Sequence, residues 1–301
     1  MKKLILSIGL TILAFSVSAD GVDNNSSASD ATATKLVVIT KNSSAVNQMK
    51  ELIENGEINQ AITLGETNYQ KNKKSEVALY LGKAYFLNKN YDQAYNWFKL
   101  AADGGQNLAM LTLGNMYGSG TGVKLDVKQA IHWYERAIAL GNVDAMNYLG
   151  LIYRDGLDKS KTDYLKALNL FKLASSRGST KADFNLGDMY QNGLGVRVNY
   201  NKAIDYYIKA AKMGNVYAMN NLGVIYAKGL GVTQDYHESF NWYMQAANQN
   251  DANAQCNLGI FYYDGTGVTK NYIEAKKWLT LAKQNGCKVA DQYLVKLTSS
   301  V

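Results

Sequence analysis

Two thiols, two imidazoles and a recurrent glycine-rich loop are the residues of this 301-residue chain whose types could do chemistry. Cys256, Cys287, His132 and His237 are the soft and nitrogen donors, but they lie far apart without ligand spacing, so no metal site is expected. A serine nucleophile of the β-lactamase type needs Ser-x-x-Lys, and no serine stands three positions before any lysine. No carboxylate–His–Ser arrangement can be argued from the two histidines. The stretch GSGTGV at 118–123 resembles a phosphate cradle, yet no strand pattern precedes it and no Gly-Lys-Ser/Thr follows. The same Gly-x-Gly recurs at Gly193-Gly195, Gly229-Gly231 and Gly265-Gly267, which is the behaviour of a turn. The expectation is a protein that is not an enzyme and carries no cofactor.

The loops belong to a larger regularity. Ala109 is followed by alanines at 145, 182, 218, 254 and 290, and Gly114 by glycines at 150, 187, 223 and 259, a step of 36 residues that is once 37. A fixed period of that size means stacked units, each burying its apolar face only against its neighbours. Every copy opens with Ala, Leu, Gly and an aromatic at relative positions 1, 5, 6 and 9, which at about 100° per residue fall within about 140° of one helical face. Glycine inside a helix costs about 1 kcal/mol against alanine, so its recurrence predicts a helix approaching too closely for a side chain. After the loop, a second helix carries Ala, an aromatic pair and Ala, as in Ala130, Trp133, Tyr134 and Ala137. Asp126, Asn199, Asp235 and Asn271 stand where a side chain caps that helix, and Gly141, Gly178, Gly214 and Gly286 where a left-handed residue closes it. No proline occurs, against about 15 expected at ordinary usage, so glycine supplies the breaks.

These patterns divide the chain. Lys2 and Lys3, the apolar stretch Leu4 to Val17, and Val17-Ser18-Ala19 before Asp20 match the pattern of a cleavable secretory signal, so a signal peptide over 1–19 is expected. The apolar stretch is short for a bilayer span, so no membrane span is expected after cleavage. Residues 20–42 read as a flexible linker, with Leu36 to Ile39 extended. The repeats occupy 43–297, in units near 44–74, 78–108, 109–144, 145–181, 182–217, 218–253 and 254–289, with a capping helix over 290–298. The unit at Ala145 replaces the second loop glycine with Asp158 and gains a residue, so its loop is expected to protrude. Cleavage removes two lysines and lowers the net charge from +7 to +5, too mild and too dispersed for nucleic-acid binding. Cys256, early in a first helix, and Cys287, just past the second helix of that unit, lie at one end of a hairpin, where one disulfide is permitted in an oxidising compartment.

The pattern Ala-x-x-Asn-Leu-Gly-x-x-Tyr-x-x-Gly-x-Gly-Val, then Ala-x-x-Trp-Tyr-x-x-Ala-Ala, resembles Sel-one-like repeats, relatives of tetratricopeptide repeats. Ala182 to Ala211 and Ala218 to Ala247 fit it best, and matching units cover about 75–290. Many family loops carry proline after Gly-Val, where this chain has Lys124, Arg197, Thr233 and Thr269. The resemblance implies an all-α fold, a right-handed superhelical α/α solenoid of antiparallel helix hairpins with about 36 residues per repeat. It implies protein–protein contact, often in the bacterial envelope, which with the signal peptide points to the periplasm or exterior. It also admits a periplasmic immunity protein that neutralises a secreted effector such as a lipase. A cysteine-rich branch of the family, associated with β-lactams, leaves a β-lactam hydrolase or cell-wall enzyme as a lesser alternative.

In tetratricopeptide-like solenoids the first helices line the concave side. The positions pointing away from the Ala/Leu/Gly/Tyr face are therefore the expected binding stripe. They hold Asn147, Tyr148, Phe184, Asn185, Asp188, Asn220, Asn221 and Asn257, beside Leu111, Asn115, Leu151, Val224 and Ile260. Asparagine offers both donor and acceptor to an extended peptide backbone, and Phe184 and Tyr148 would be apolar anchors. The expected partner is a protein or peptide.

Overall fold

The structure, a computed structural model, describes residues 44–157 and 162–299. The expected signal peptide and linker, the expected extended piece Leu36 to Ile39, and Asp158 lie outside the described residues. Among those described there are fifteen helices and no strand. A first hairpin pairs α1 (Ala45–Glu54) with α2 (Ile58–Asn72). Six further hairpins follow: α3 (Ser75–Leu87) with α4 (Tyr91–Asp103), α5 (Asn107–Ser119) with α6 (Val127–Ala139), α7 (Val143–Asp155) with α8 (Tyr164–Ser176), α9 (Thr180–Asn192) with α10 (Tyr200–Lys212), α11 (Val216–Lys228) with α12 (Tyr236–Ala247), and α13 (Ala252–Asp264) with α14 (Tyr272–Gln284). A last helix, α15 (Val289–Ser299), follows the final hairpin. This is the all-α repeat architecture that the periodicity predicts. The chain forms two compact units, 44–145 with Leu157 and 146–156 with 162–299, the boundary falling inside α7.

The capping expectation holds at each second helix. Asp126, Asn199 and Asp235 accept from the backbone N–H of Gln129, Lys202 and Glu238 at 3.1, 2.9 and 2.9 Å. Asn271 accepts from both Ile273 and Glu274. The first helices begin two residues before the repeated alanine, because a second set of caps lies upstream. Ser179, Asn215 and Asp251 accept from the N–H of Ala182, Ala218 and Ala254. Each such cap is worth about 1 kcal/mol.

The recurrent helix glycines are explained by the large side chains, four of them rings, that lie opposite them. A Cβ built on Gly114 would lie 2.5 Å from Tyr134, and one on Gly187 2.5 Å from Tyr207. Gly150, Gly223 and Gly259 face Phe171, Tyr243 and Leu279 in the same way. Tyr134, Phe171 and Tyr207 are fully buried, each ring contributing about 2–3 kcal/mol through removal from water. Alanines 130, 137, 203 and 210 on the second helices have no exposed surface and admit the close approach.

A buried carboxylate interrupts this apolar scheme in the second unit. Asp183, 2% exposed, takes the position of the apolar Met219 in the next copy. Ser175 Oγ donates to its Oδ1 at 2.5 Å, and Lys209 Nζ reaches both Ser175 Oγ and Asp183 Oδ1 at 3.0 Å. A buried carboxylate is tolerable only when paired and hydrogen-bonded, and here it is both. Both donors are committed to the carboxylate, so the trio ties α8, α9 and α10 together.

Candidate partner-binding face

The second unit carries most of the expected stripe, and the structure divides it in two. Asn147, Tyr148 and Asn185 are buried, at 2, 5 and 5% exposure. Asn185 Nδ2 donates to Asn147 Oδ1 at 2.9 Å, joining α9 to α7. Asn257 Nδ2 reaches Asn220 Oδ1 at 3.5 Å, joining α13 to α11 in the same manner. The residues in these pairs are 38 and 37 apart, one repeat and a little more. The expectation that Asn147, Tyr148 and Asn185 present themselves to a partner is therefore corrected. Positions 3 and 4 of one first helix face the next first helix, and the amides satisfy each other there. In the first unit Leu111 and Asn115 are likewise buried.

Phe184, Asp188, Asn220, Asn221 and Asn257 are half-buried and do reach the surface of the first helices. Leu151, Val224 and Ile260 accompany them at similar exposure. Phe184 packs against the Tyr207 ring at 5.9 Å and against Tyr217 at 6.0 Å. Tyr217 is 66% exposed, an apolar ring offered to solvent beside a half-buried one. Lys181 Nζ sits over the Tyr148 ring, 5.8 Å from its centroid.

Sequence reasoning missed the strongest electrostatic feature of this face. Arg154 holds Asp155 with two hydrogen bonds, Nε to Oδ1 at 2.6 Å and Nη2 to Oδ2 at 3.0 Å. Its Nη1 donates to Asn185 Oδ1 at 2.8 Å and lies 3.6 Å from Asp188 Oδ2. Burial opposes the charge of Arg154, but the hydrogen bonds and charge of Asp155, with that of Asp188, outweigh it and raise its pKa. Asp188 is different. Burial pushes its carboxyl above the ordinary value, which Arg154 offsets only in part and Asp155 aggravates. The signal was present as a departure from the pattern: Arg154 occupies a position held by Gly118, Gln191, Ala227 and Tyr263 in the other copies.

The remaining candidates are quieter. His132 and His237 are exposed on α6 and α12. Among the described residues no group of three or more His, Cys, Asp or Glu side chains could hold a metal ion. Cys256 and Cys287 are both free thiols, the first buried and the second half-buried. They lie together at one end of the α13–α14 hairpin: burial, then a hydrogen bond with Cys287, pushes the Cys256 thiol up to about 12. No helix among the described residues is long and apolar enough to cross a membrane.

Comparison with known proteins gives a consistent result. The Sel1 repeat model matches at 76–106, 107–142, 143–179, 180–215, 216–251 and 252–287. Each matched segment from 107 onward starts at or next to the first residue of a first helix. A Sel1 repeat protein from Oxalobacter formigenes is 30% identical with a TM-score of 0.70, over 79% of this chain and 99% of that one. A protective antigen of uropathogenic Escherichia coli displaying an SLR fold is 32% identical with a TM-score of 0.69, over 83% of this chain and 50% of that one. Among curated proteins, a chitin synthase regulatory factor of Schizosaccharomyces pombe is 34% identical over 35% of this chain and 21% of its own length. An ERAD-associated E3 ubiquitin-protein ligase component of Arabidopsis thaliana is 36% identical over 35% of this chain and 17% of its own. The chain thus spans about a fifth of the length of these curated relatives.

Proposed function

The chain belongs to the Sel1 repeat family, and from that premise we propose that it is an exported, non-catalytic scaffold that grips a polypeptide along the first-helix face of residues 146–299. One observation carries this reading. Phe184 and the exposed Tyr217 form a paired aromatic surface beside the half-buried amides of Asn220, Asn221 and Asn257. Exposed rings next to partly buried polar groups are the composition of interface anchors. The curated relatives, a regulatory factor and a ligase component, carry names that fit a binding role rather than turnover.

Export rests on the signal-like residues 1–19, and the periplasm or cell exterior is the compartment they imply. N-terminal sequencing of the mature protein should begin at Asp20; an intact Met1 would remove the exported part of the proposal. In an oxidising compartment Cys256 and Cys287 would close to a disulfide, visible as the loss of two hydrogens in the intact mass before reduction.

The binding role is tested with immobilised mature protein and envelope extract, comparing the natural chain with a Phe184→Ser, Tyr217→Ser, Asn221→Ala variant. One protein should be retained by the first and lost by the second, with helicity by circular dichroism equal in both. Equal retention by both would place the binding surface elsewhere.

A further inference from the structure

Among the first helices from α5 to α13 only α9 carries an acid at the seventh position of the repeat: Asp188 stands where Asn115, Leu151, Val224 and Ile260 stand in the others. Its surroundings leave that charge half answered. Asn192 Nδ2 donates to Oδ1 at 2.7 Å. Oδ2 has Arg154 Nη1 at 3.6 Å, too long for a hydrogen bond, and receives none from any described residue. Arg154 is turned away by its two bonds to Asp155 and its bond to Asn185. One guanidinium against two carboxylates leaves the cluster with a net charge of about −1. Beneath it, the Tyr207 hydroxyl is fully buried in the field of Asp188 and Arg154, with the Asn221 side chain near it but no well-formed hydrogen bond among the described residues. A native buried polar group without a well-formed hydrogen bond calls for an explanation, and an incomplete polar site is one.

We propose that Asp188 seats the cationic head of a lysine or arginine side chain from a bound polypeptide, its aliphatic stem lying over Phe184 and Tyr217. This assignment rests on reading the first-helix face as the binding surface and names the chemistry of its anchor. Phe184 precedes Asp188 by four residues, one helical turn or about 5.4 Å along the axis, on the same face. A stem of three or four methylenes spans that turn with its charge at the carboxylate and its carbons on the two rings. The carboxylate stands 29% exposed, reachable yet poorly solvated, which strengthens a charge-assisted hydrogen bond. Lys181, about two turns away on the same stripe, is held over Tyr148 and leaves the place at Asp188 to an incoming cation.

The test selects a displayed random peptide library on the full chain and measures the enriched peptides by fluorescence anisotropy. They should share one basic residue. Replacing it with norleucine for lysine, or citrulline for arginine, should weaken binding at least about tenfold. Asp188→Asn should weaken binding as much, and on that variant the peptide replacement should have little further effect. Enriched peptides without a common basic residue, or unchanged binding by Asp188→Asn, would overturn the cation seat while leaving the scaffold reading intact. A library that yields no binder would overturn both. If Asp188→Asn does not fold, the citrulline or norleucine peptide decides alone, and undiminished binding is the overturning result.

Discussion

The same slot of the repeat is finished in one copy and left open in another. In the α5–α6 hairpin Tyr134 lies under Gly114 and its hydroxyl donates to Asn115 Oδ1 at 2.7 Å, both residues buried. In the α9–α10 hairpin Tyr207 lies under Gly187 with the same ring contact, but Asp188 replaces the asparagine and no such bond forms. The scaffold is identical, and a single change from amide to carboxylate turns a sealed core position into a charged, half-exposed one. A repeat protein can specialise in this way because the ring-on-glycine contact holds the hairpin together whatever the seventh position carries.

The largest expected effect tests the shared half of that comparison. Gly114→Ala and Gly187→Ala each force a Cβ to within 2.5 Å of a buried ring, with little room to yield in a close-packed core. Each should destabilise by about 2–3 kcal/mol, read by urea denaturation. If one were tolerated, the two hairpins would not be equivalent and the comparison would lose its basis.

Next in size is the difference itself. Tyr134→Phe removes a hydroxyl from a buried pair and leaves Asn115 Oδ1 without its donor, a loss of about 1–2 kcal/mol. A cost below about 0.5 kcal/mol would mean that the pair is not what seals the first copy.

How much of this was legible in the sequence follows from what each residue type is needed for. Gly187 and Asp126 could be read directly, because a missing Cβ and a capping oxygen serve the backbone of their own hairpin. Asn185 could not. Helical phase puts it off the Ala/Leu/Gly/Tyr face, but phase cannot tell water from the neighbouring first helix, where Asn147 waits for its amide. Arg154 was visible only as a break in the pattern, and its meaning depends on Asp155 and Asp188 meeting it in space. Repetition therefore reveals the scaffold well and the specialised site poorly, since a site is made of the residues that do not repeat.

Smaller still is the effect of neutralising the open copy. Burial raises the folded-state pKa of Asp188 above its ordinary 3.8, so the ionised form is disfavoured in the folded chain. The sign is opposite to that of a paired aspartate: the stability linked to this group is present at low pH and lost as pH rises through the folded pKa. Asp188→Asn should therefore match the natural chain near pH 3 and melt about 1–2 °C higher at neutral pH. A lower melting temperature at neutral pH would show that Arg154 pairs with Asp188 more firmly than 3.6 Å suggests.

The smallest effect separates the two copies most sharply. Tyr207→Phe deletes a wholly buried hydroxyl that has the Asn221 side chain nearby but no well-formed hydrogen bond, while leaving the ring on Gly187 in place. Removing a poorly satisfied buried polar group returns most of its desolvation penalty, so the change should be neutral or stabilising within about 0.5 kcal/mol. The identical substitution at Tyr134 is the costly one, although both tyrosines occupy one register position and bury the same ring. Chemical denaturation of the two variants side by side gives the difference directly. Equal costs would mean that the Tyr207 hydroxyl is as well satisfied as that of Tyr134, and the open slot beside Asp188 would close with it.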